Sequence, residues 1–150
     1  MRVLVWFAMM ASMAFSQDRW QARSMVITRR GIAATSQTLA SQAGAQVLAR
    51  GGSAVDAAIA ANAVLHVVEP MMNGMGGDLF AIVRDGKTGG LTGINASGWS
   101  PQGLTAAMVK QAGFSSMPQE HIHSVTVPGC VDGWEKLHRK FGRLPWAELL

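Results

Sequence analysis

Hydrophobic and polar positions change period several times along the chain. Short β-type runs at residues 25–28 and 32–35 flank Arg29, Arg30 and Gly31, which predicts a hairpin turning on the glycine. From Leu39 the period becomes helical. Leu39, Ala43 and Val47 recur every fourth residue, with Ala40 and Leu48 beside them and Ser41, Gln42 and Arg50 on the other side. Gly51 and Gly52 stop this helix. Ser53 and Asp56 then have the spacing of a capping box, so a second helix starts at Ala54 and runs to about Val68, where Glu69 before Pro70 ends it. It is apolar almost all round and rich in alanine. That predicts a buried helix whose neighbours approach closely.

Residues 73–77 form a glycine-rich loop, and residues 78–84 alternate into a strand. Turn chemistry at residues 85–90 leads to a second strand at 91–96, so the two should pair as an antiparallel hairpin. Thr105 caps a short helix ending at Gly113. Residues 124–127 read as a strand stopped by Pro128 and Gly129, and residues 131–141 as a helix closed by Gly142. Pro145 opens a last helix, with Trp146, Leu149 and Leu150 starting its apolar stripe. Only about six helical residues follow, too few for a stable helix by itself. The expectation is that residues 17–150 are the first part of a larger protein.

The N-terminus alters the picture of a uniformly apolar chain. Met1 and Arg2 precede an unbroken apolar run from Val3 to Ala11, and Ala14, Phe15 and Ser16 offer small residues where a signal peptidase reads. Residues 1–16 are expected to be a secretory signal cut before Gln17, giving a periplasmic or secreted protein with no membrane span after cleavage. The 150 residues are 49% apolar and 15% charged, a composition suited to a globular domain and unlike a disordered chain. The net charge of +4 is spread out, and the only adjacent basic pairs are Arg29-Arg30 and Arg139-Lys140. No nucleic-acid partner is expected from such a distribution. One cysteine, Cys130, excludes an intrachain disulfide framework and a cysteine-based metal cluster.

Local motifs identify no chemistry. The loop Gly74-Met75-Gly76-Gly77-Asp78-Leu79 places Leu79 where a dinucleotide fingerprint needs its third glycine, and it leads from helix to strand instead of strand to helix. It reads as a tight turn. His121 and His123, with Glu120, lack a third convergent ligand and read as solvated loop histidines. There is no G-x-S-x-G elbow and no S-x-x-K pair, and no histidine pairs locally with a serine. Read from its residues alone, the chain is an exported α/β piece with no complete active site.

The order of its segments resembles a known family. Residues 39–44 (LASQAG), 51–58 (GGSAVDAA), Val68-Glu69-Pro70 and Gly74-Met75-Gly76-Gly77-Asp78 are similar to the opening of the gamma-glutamyltransferase (gamma-glutamyltranspeptidase, glutathione hydrolase) family. Val127-Pro128-Gly129 with Gly133-Trp134, then Phe141-Gly142 and residues 144–150 (LPWAELL), resemble its next stretch. The likeness is collinear from about Met25 to Leu150, far more specific than any one motif.

The resemblance implies an N-terminal-nucleophile hydrolase, an αββα sandwich that is incomplete in this chain. Such proteins are made as proenzymes and cut by their own chemistry into large and small subunits. The freed N-terminal threonine of the small subunit attacks a gamma-glutamyl amide such as glutathione through an acyl-enzyme, with its own α-amine as base. By this reading the nucleophile lies beyond Leu150, no catalytic residue and no metal or other cofactor belongs to this chain, and the chain alone is inactive. Its partners are the small subunit of the same proenzyme and a small-molecule gamma-glutamyl or other amide substrate. The resemblance also implies an arginine four residues before a proline, holding the substrate's α-carboxylate. In the matching segment, residues 95–101 (NASGWSP), that place is taken by Ser97. Ser97 and Trp99 are the expected substrate-binding residues. The N-x-S-G-x-x-P pattern is similar to the branch of amidohydrolases and acylases, so a related acylase is an alternative, as is a non-catalytic scaffold.

Overall fold

The computed structural model describes residues 25–150. The expected secretory signal lies outside the described residues. Helix α1 (Thr38–Ala49) and helix α2 (Ala54–Val68) form one packed pair. Strands β1 (Leu79–Arg84) and β2 (Leu91–Ala96) form an antiparallel hairpin in which Leu79 faces Ala96 and Arg84 faces Leu91. A short helix α3 (Ala106–Gln111) follows, capped as expected by the Thr105 hydroxyl accepting from Met108. Helix α4 (Cys130–Phe141) returns to lie on the hairpin and against α2.

The capping box is present in both directions. Ser53 Oγ accepts from Asp56 N at 3.0 Å and Asp56 Oδ2 accepts from Ser53 N at 2.8 Å. The buried face of α1 keeps the expected Val47 and Ala40 but takes Gly44 in place of Ala43, whereas Leu39 is 55% exposed. Small size decides this. A Cβ at Gly44 would lie 2.7 Å from Ala33 Cβ and 3.2 Å from the Ala57 carbonyl, so α1 turns its smallest residues toward α2. Helix α2 is buried at Val55, Asp56, Ala57, Ile59, Ala60 and Ala61 and only partly covered beyond, which corrects the expectation of burial all round.

Three further expectations are corrected. Residues 25–35 form no strand: Met25, Val26 and Ile27 are exposed, and Arg30 Nη1 instead donates to the Ala49 carbonyl at 2.9 Å, holding the segment against the end of α1. The expected strand at 124–127 is absent: Ser124 ends a 3-10 turn, Ile122–Ser124, and residues 125–127 run extended without entering a sheet. Val125 N donates back to the Ile122 carbonyl at 3.2 Å and Val127 N to Trp99 O at 2.9 Å, a turn and a single cross-link in place of a ladder. The residues after Pro145 make a 3-10 turn, Trp146–Glu148, and not an α-helix. The glycine-rich loop is a tight turn between α2 and β1, as read.

The core joins Val47, Val55, Ile59, Cys130, Trp134, Leu137 and Leu149, with the inward strand residues Leu79, Ala81, Val83 and Ile94 packed against it. The outward face of the hairpin carries Phe80, Ile82 and Leu91 at 67%, 81% and 72% exposure. Strands apolar on both faces belong to a sheet with a layer on either side. Among the described residues no helix is long and apolar enough to cross a membrane.

Candidate functional site

A cavity of about 400 Å³ opens where the end of β2 meets the start of α4. One wall is Asn95, Ser97, Gly98 and Trp99, another is Val127, Pro128 and Gly129, and the floor is α4 through Asp132 and Lys136. Its geometry follows from a close crossing of two backbones. Gly98 has φ +76°, a conformation that favours glycine, and a Cβ there would overlap the Val127 carbonyl. Gly129 is hemmed in from the other side, since a Cβ would overlap the Ala96 carbonyl and lie 2.8 Å from the Gly98 nitrogen. The glycine-rich loop completes the junction: the Gly77 carbonyl accepts from both Gly129 N (3.2 Å) and Cys130 N (3.0 Å), seating the first turn of α4. Thr126 Oγ1 donates to Asp78 Oδ1 at 3.2 Å and pins the facing segment.

Ser97 and Trp99 both line this cavity. Ser97 N donates to Asn95 Oδ1 at 3.0 Å, a local turn that leaves the hydroxyl for other partners. Trp99 is anchored by its backbone and 86% exposed, so its indole stands free at the cavity mouth. Asp132 and Lys136, which no motif singled out, supply its charge. Their i,i+4 spacing on a helix was legible, but their position opposite Ser97 depends on how α4 crosses the end of β2. Lys136 Nζ lies 2.6 Å from Asp132 Oδ2, with the two side chains 60% and 58% exposed.

Replacing Gly129 with alanine is expected to force the strand end and helix start apart, lowering stability by about 1–3 kcal/mol because backbone, unlike a flexible side chain, cannot yield. A urea midpoint equal to that of the unmodified protein would show the crossing to be looser than described.

The remaining candidates are structural. Cys130 is 1% exposed, its Sγ 3.9 Å from Asn62 Oδ1 and 4.0 Å from His66 Nε2. Burial, reinforced by the Asp78 charge, pushes its thiol up, away from the thiolate a nucleophile needs. Burial also holds His66 below its ordinary value, as a neutral ring stacked on Trp134 at 5.0 Å. His121 and His123 stand with ring centroids 4.5 Å apart, and His121 packs edge-on to Phe114, so they are half-buried and not fully solvated. His121 Nδ1 accepts from His123 N at 3.2 Å. Among the described residues no group of three His, Cys, Asp or Glu could hold a metal ion.

Helices on one face of a two-faced apolar hairpin form part of the N-terminal-nucleophile hydrolase fold, which the structural likenesses bear out. The chain superposes on gamma-glutamyltranspeptidase from Helicobacter pylori with a TM-score of 0.75 at 31% identity, covering 84% of this chain and 37% of that one. On cephalosporin acylase from Bacillus halodurans the TM-score is 0.72 at 41% identity, over 87% and 26%. The model of the gamma-glutamyltranspeptidase family matches residues 40–150, and the chain belongs to that family. It is 40% identical over 126 residues to the glutathione hydrolase-like YwrD proenzyme of Bacillus subtilis (strain 168), covering 83% of this chain and 24% of the relative. The chain thus spans about a quarter of the length of the curated relatives it matches.

Proposed function

We propose that this chain is the opening part of the large subunit of an exported proenzyme that hydrolyses or transfers gamma-glutamyl groups from amides such as glutathione. The observation that carries this reading is the continuous family match over residues 40–150, which includes every wall of the cavity. In this reading residues 1–16 direct export and are removed before Gln17, and a small subunit from the same proenzyme completes the enzyme. Its N-terminal threonine attacks the amide carbonyl, the C–N bond breaks, and the departing amine takes the proton that the threonine's own α-amine had accepted. Water or an acceptor amine then releases the acyl group. This chain's part is to bind the acyl side of the substrate. Ser97 offers a hydroxyl and Trp99 an aromatic face.

One observation favours a second reading. Ser97 stands where the family resemblance implies an arginine, and the chain is 41% identical to a cephalosporin acylase, so an amide with an uncharged acyl group is the alternative substrate.

The full reading frame, expressed with its export signal, is expected to yield two chains on a denaturing gel, the larger beginning at Gln17 by mass spectrometry, and to release aniline from a gamma-glutamyl anilide. Residues 17–150 alone are expected to release none. An uncut, inactive full-length product would favour a scaffold. Turnover of uncharged acyl anilides in preference to gamma-glutamyl ones would favour the acylase.

A further inference from the structure

Of all the residues lining the cavity, only Asp132 and Lys136 are charged. They sit one helical turn apart on its floor, facing the wall that carries Ser97 and Trp99. In the described structure they satisfy each other. One of three ammonium hydrogens on Lys136 reaches Asp132 Oδ2, and both groups remain more than half exposed, so each keeps unused hydrogen-bonding capacity. The neighbouring pair Arg139 and Glu135 has the same spacing on the same helix but does not line the cavity. Spacing alone does not distinguish the two pairs; position does.

We infer that Asp132 and Lys136 read the zwitterionic end of the substrate's acyl group, Lys136 binding its α-carboxylate and Asp132 its α-ammonium. This rests on the gamma-glutamyl reading above. A gamma-glutamyl group carries an ammonium and a carboxylate on one carbon, so it can exchange the mutual Asp132–Lys136 contact for two charge-assisted contacts of its own. That exchange leaves neither charge unpaired, whereas an acyl group with a carboxylate alone satisfies Lys136 and strands Asp132. Lys136 in this way supplies from α4 the positive charge that Ser97 cannot. An exposed i,i+4 pair contributes little to stability, so substitutions here leave the fold intact.

The test uses the full-length protein, with L-glutamate and glutarate as calorimetric probes and gamma-glutamyl and glutaryl anilides as substrates. Lys136→Met is expected to weaken both probes and raise KM for both anilides by about tenfold, with kcat little changed, and Lys136→Arg to restore most of the loss. Asp132→Asn is expected to weaken L-glutamate and the gamma-glutamyl anilide by a similar factor, whereas glutarate and the glutaryl anilide, which strand the Asp132 charge in the unmodified protein, are expected to bind at least as well. Arg139→Met, outside the cavity, serves as the control. Retained turnover with L-glutamate affinity and KM unchanged in Lys136→Met would overturn the inference and leave the gamma-glutamyl reading standing. Absent turnover with a Lys136-dependent affinity for L-glutamate would do the reverse. No binding of L-glutamate by the unmodified protein overturns the inference.

Discussion

Replacing Asp56 with alanine is expected to destabilise the protein by on the order of 3–5 kcal/mol, because it orphans several buried donors at once. The carboxylate is fully buried, and its Oδ2 accepts from the backbone N–H groups of Ser53 (2.8 Å), Arg143 (2.9 Å) and Leu144 (3.2 Å). It therefore ties the start of α2 to the segment after α4, 87 and 88 residues further along the chain. His138 lies beside it, Nε2 being 2.8 Å from the Leu144 carbonyl and 3.8 Å from Asp56 Oδ1. A carbonyl can only accept, so that ring nitrogen carries the hydrogen and donates to Leu144. Burial alone raises the Asp56 carboxyl, but the hydrogen bonds from Ser53, Arg143 and Leu144 outweigh it and hold the group below its ordinary 3.8. A depressed carboxylate contributes stability that is present above the unfolded value and lost as pH falls through the folded one. Stability is thus expected to decline below pH 3.8, and Asp56→Asn to lack that part of the acid dependence. Chemical denaturation at pH 3 and pH 6 measures both. An Asp56→Ala midpoint within error of the unmodified protein would refute the role.

Trp134→Ala carries a comparable expected cost, about 3–5 kcal/mol for truncating a buried tryptophan. The side chain is 2% exposed, stacks on His66 and donates from Nε1 to Asn62 Oδ1 at 3.0 Å. The substitution leaves a cavity between α2 and α4 and an Asn62 amide oxygen that keeps only the weak Cys130 thiol as donor. It also admits water to His66, whose depressed value is expected to move back toward 6.5, a change visible in its imidazole NMR titration. In the unmodified protein His66 is neutral when folded and takes up a proton more readily when unfolded, so its contribution is full above pH 6.5 and lost as pH falls through the folded value. A His66 titration that is the same in both proteins would show that Trp134 does not exclude water.

Both predictions turn on long-range contacts, and this separates what was legible from what was not. The start of α2 at Ala54 was readable because Ser53 and Asp56 satisfy each other three residues apart. The same sequence gave no sign that Asp56 also accepts from Arg143 and Leu144. The β1–β2 hairpin was readable because Asp85 closes its own turn, Oδ1 accepting from Lys87 N at 2.7 Å and the backbone N donating to Gly90 O at 2.9 Å. The runs at 25–28 and 32–35 carried the same β-type composition. They form no strands because, among the described residues, no partner strand reaches them, and hydrogen-bond pairing is a property of two segments, not one.

The candidate site divides along the same line. Ser97 and Trp99 were identified through a resemblance in a seven-residue segment, and both prove to line one cavity. Asp132 and Lys136 were invisible as site residues because nothing within α4 distinguishes them from Glu135 and Arg139.

The sequence by itself determined where α1, α2, α4 and the β1–β2 hairpin lie, the capping chemistry and the family, since each rests on local hydrogen bonding or on collinear order. Only the tertiary structure decided which face of α1 is buried, what Asp56 holds together, and which charged pair enters the cavity. These depend on where Gly44, Gly98 and Gly129 let backbones cross within van der Waals contact, and that distance is a property of the folded chain.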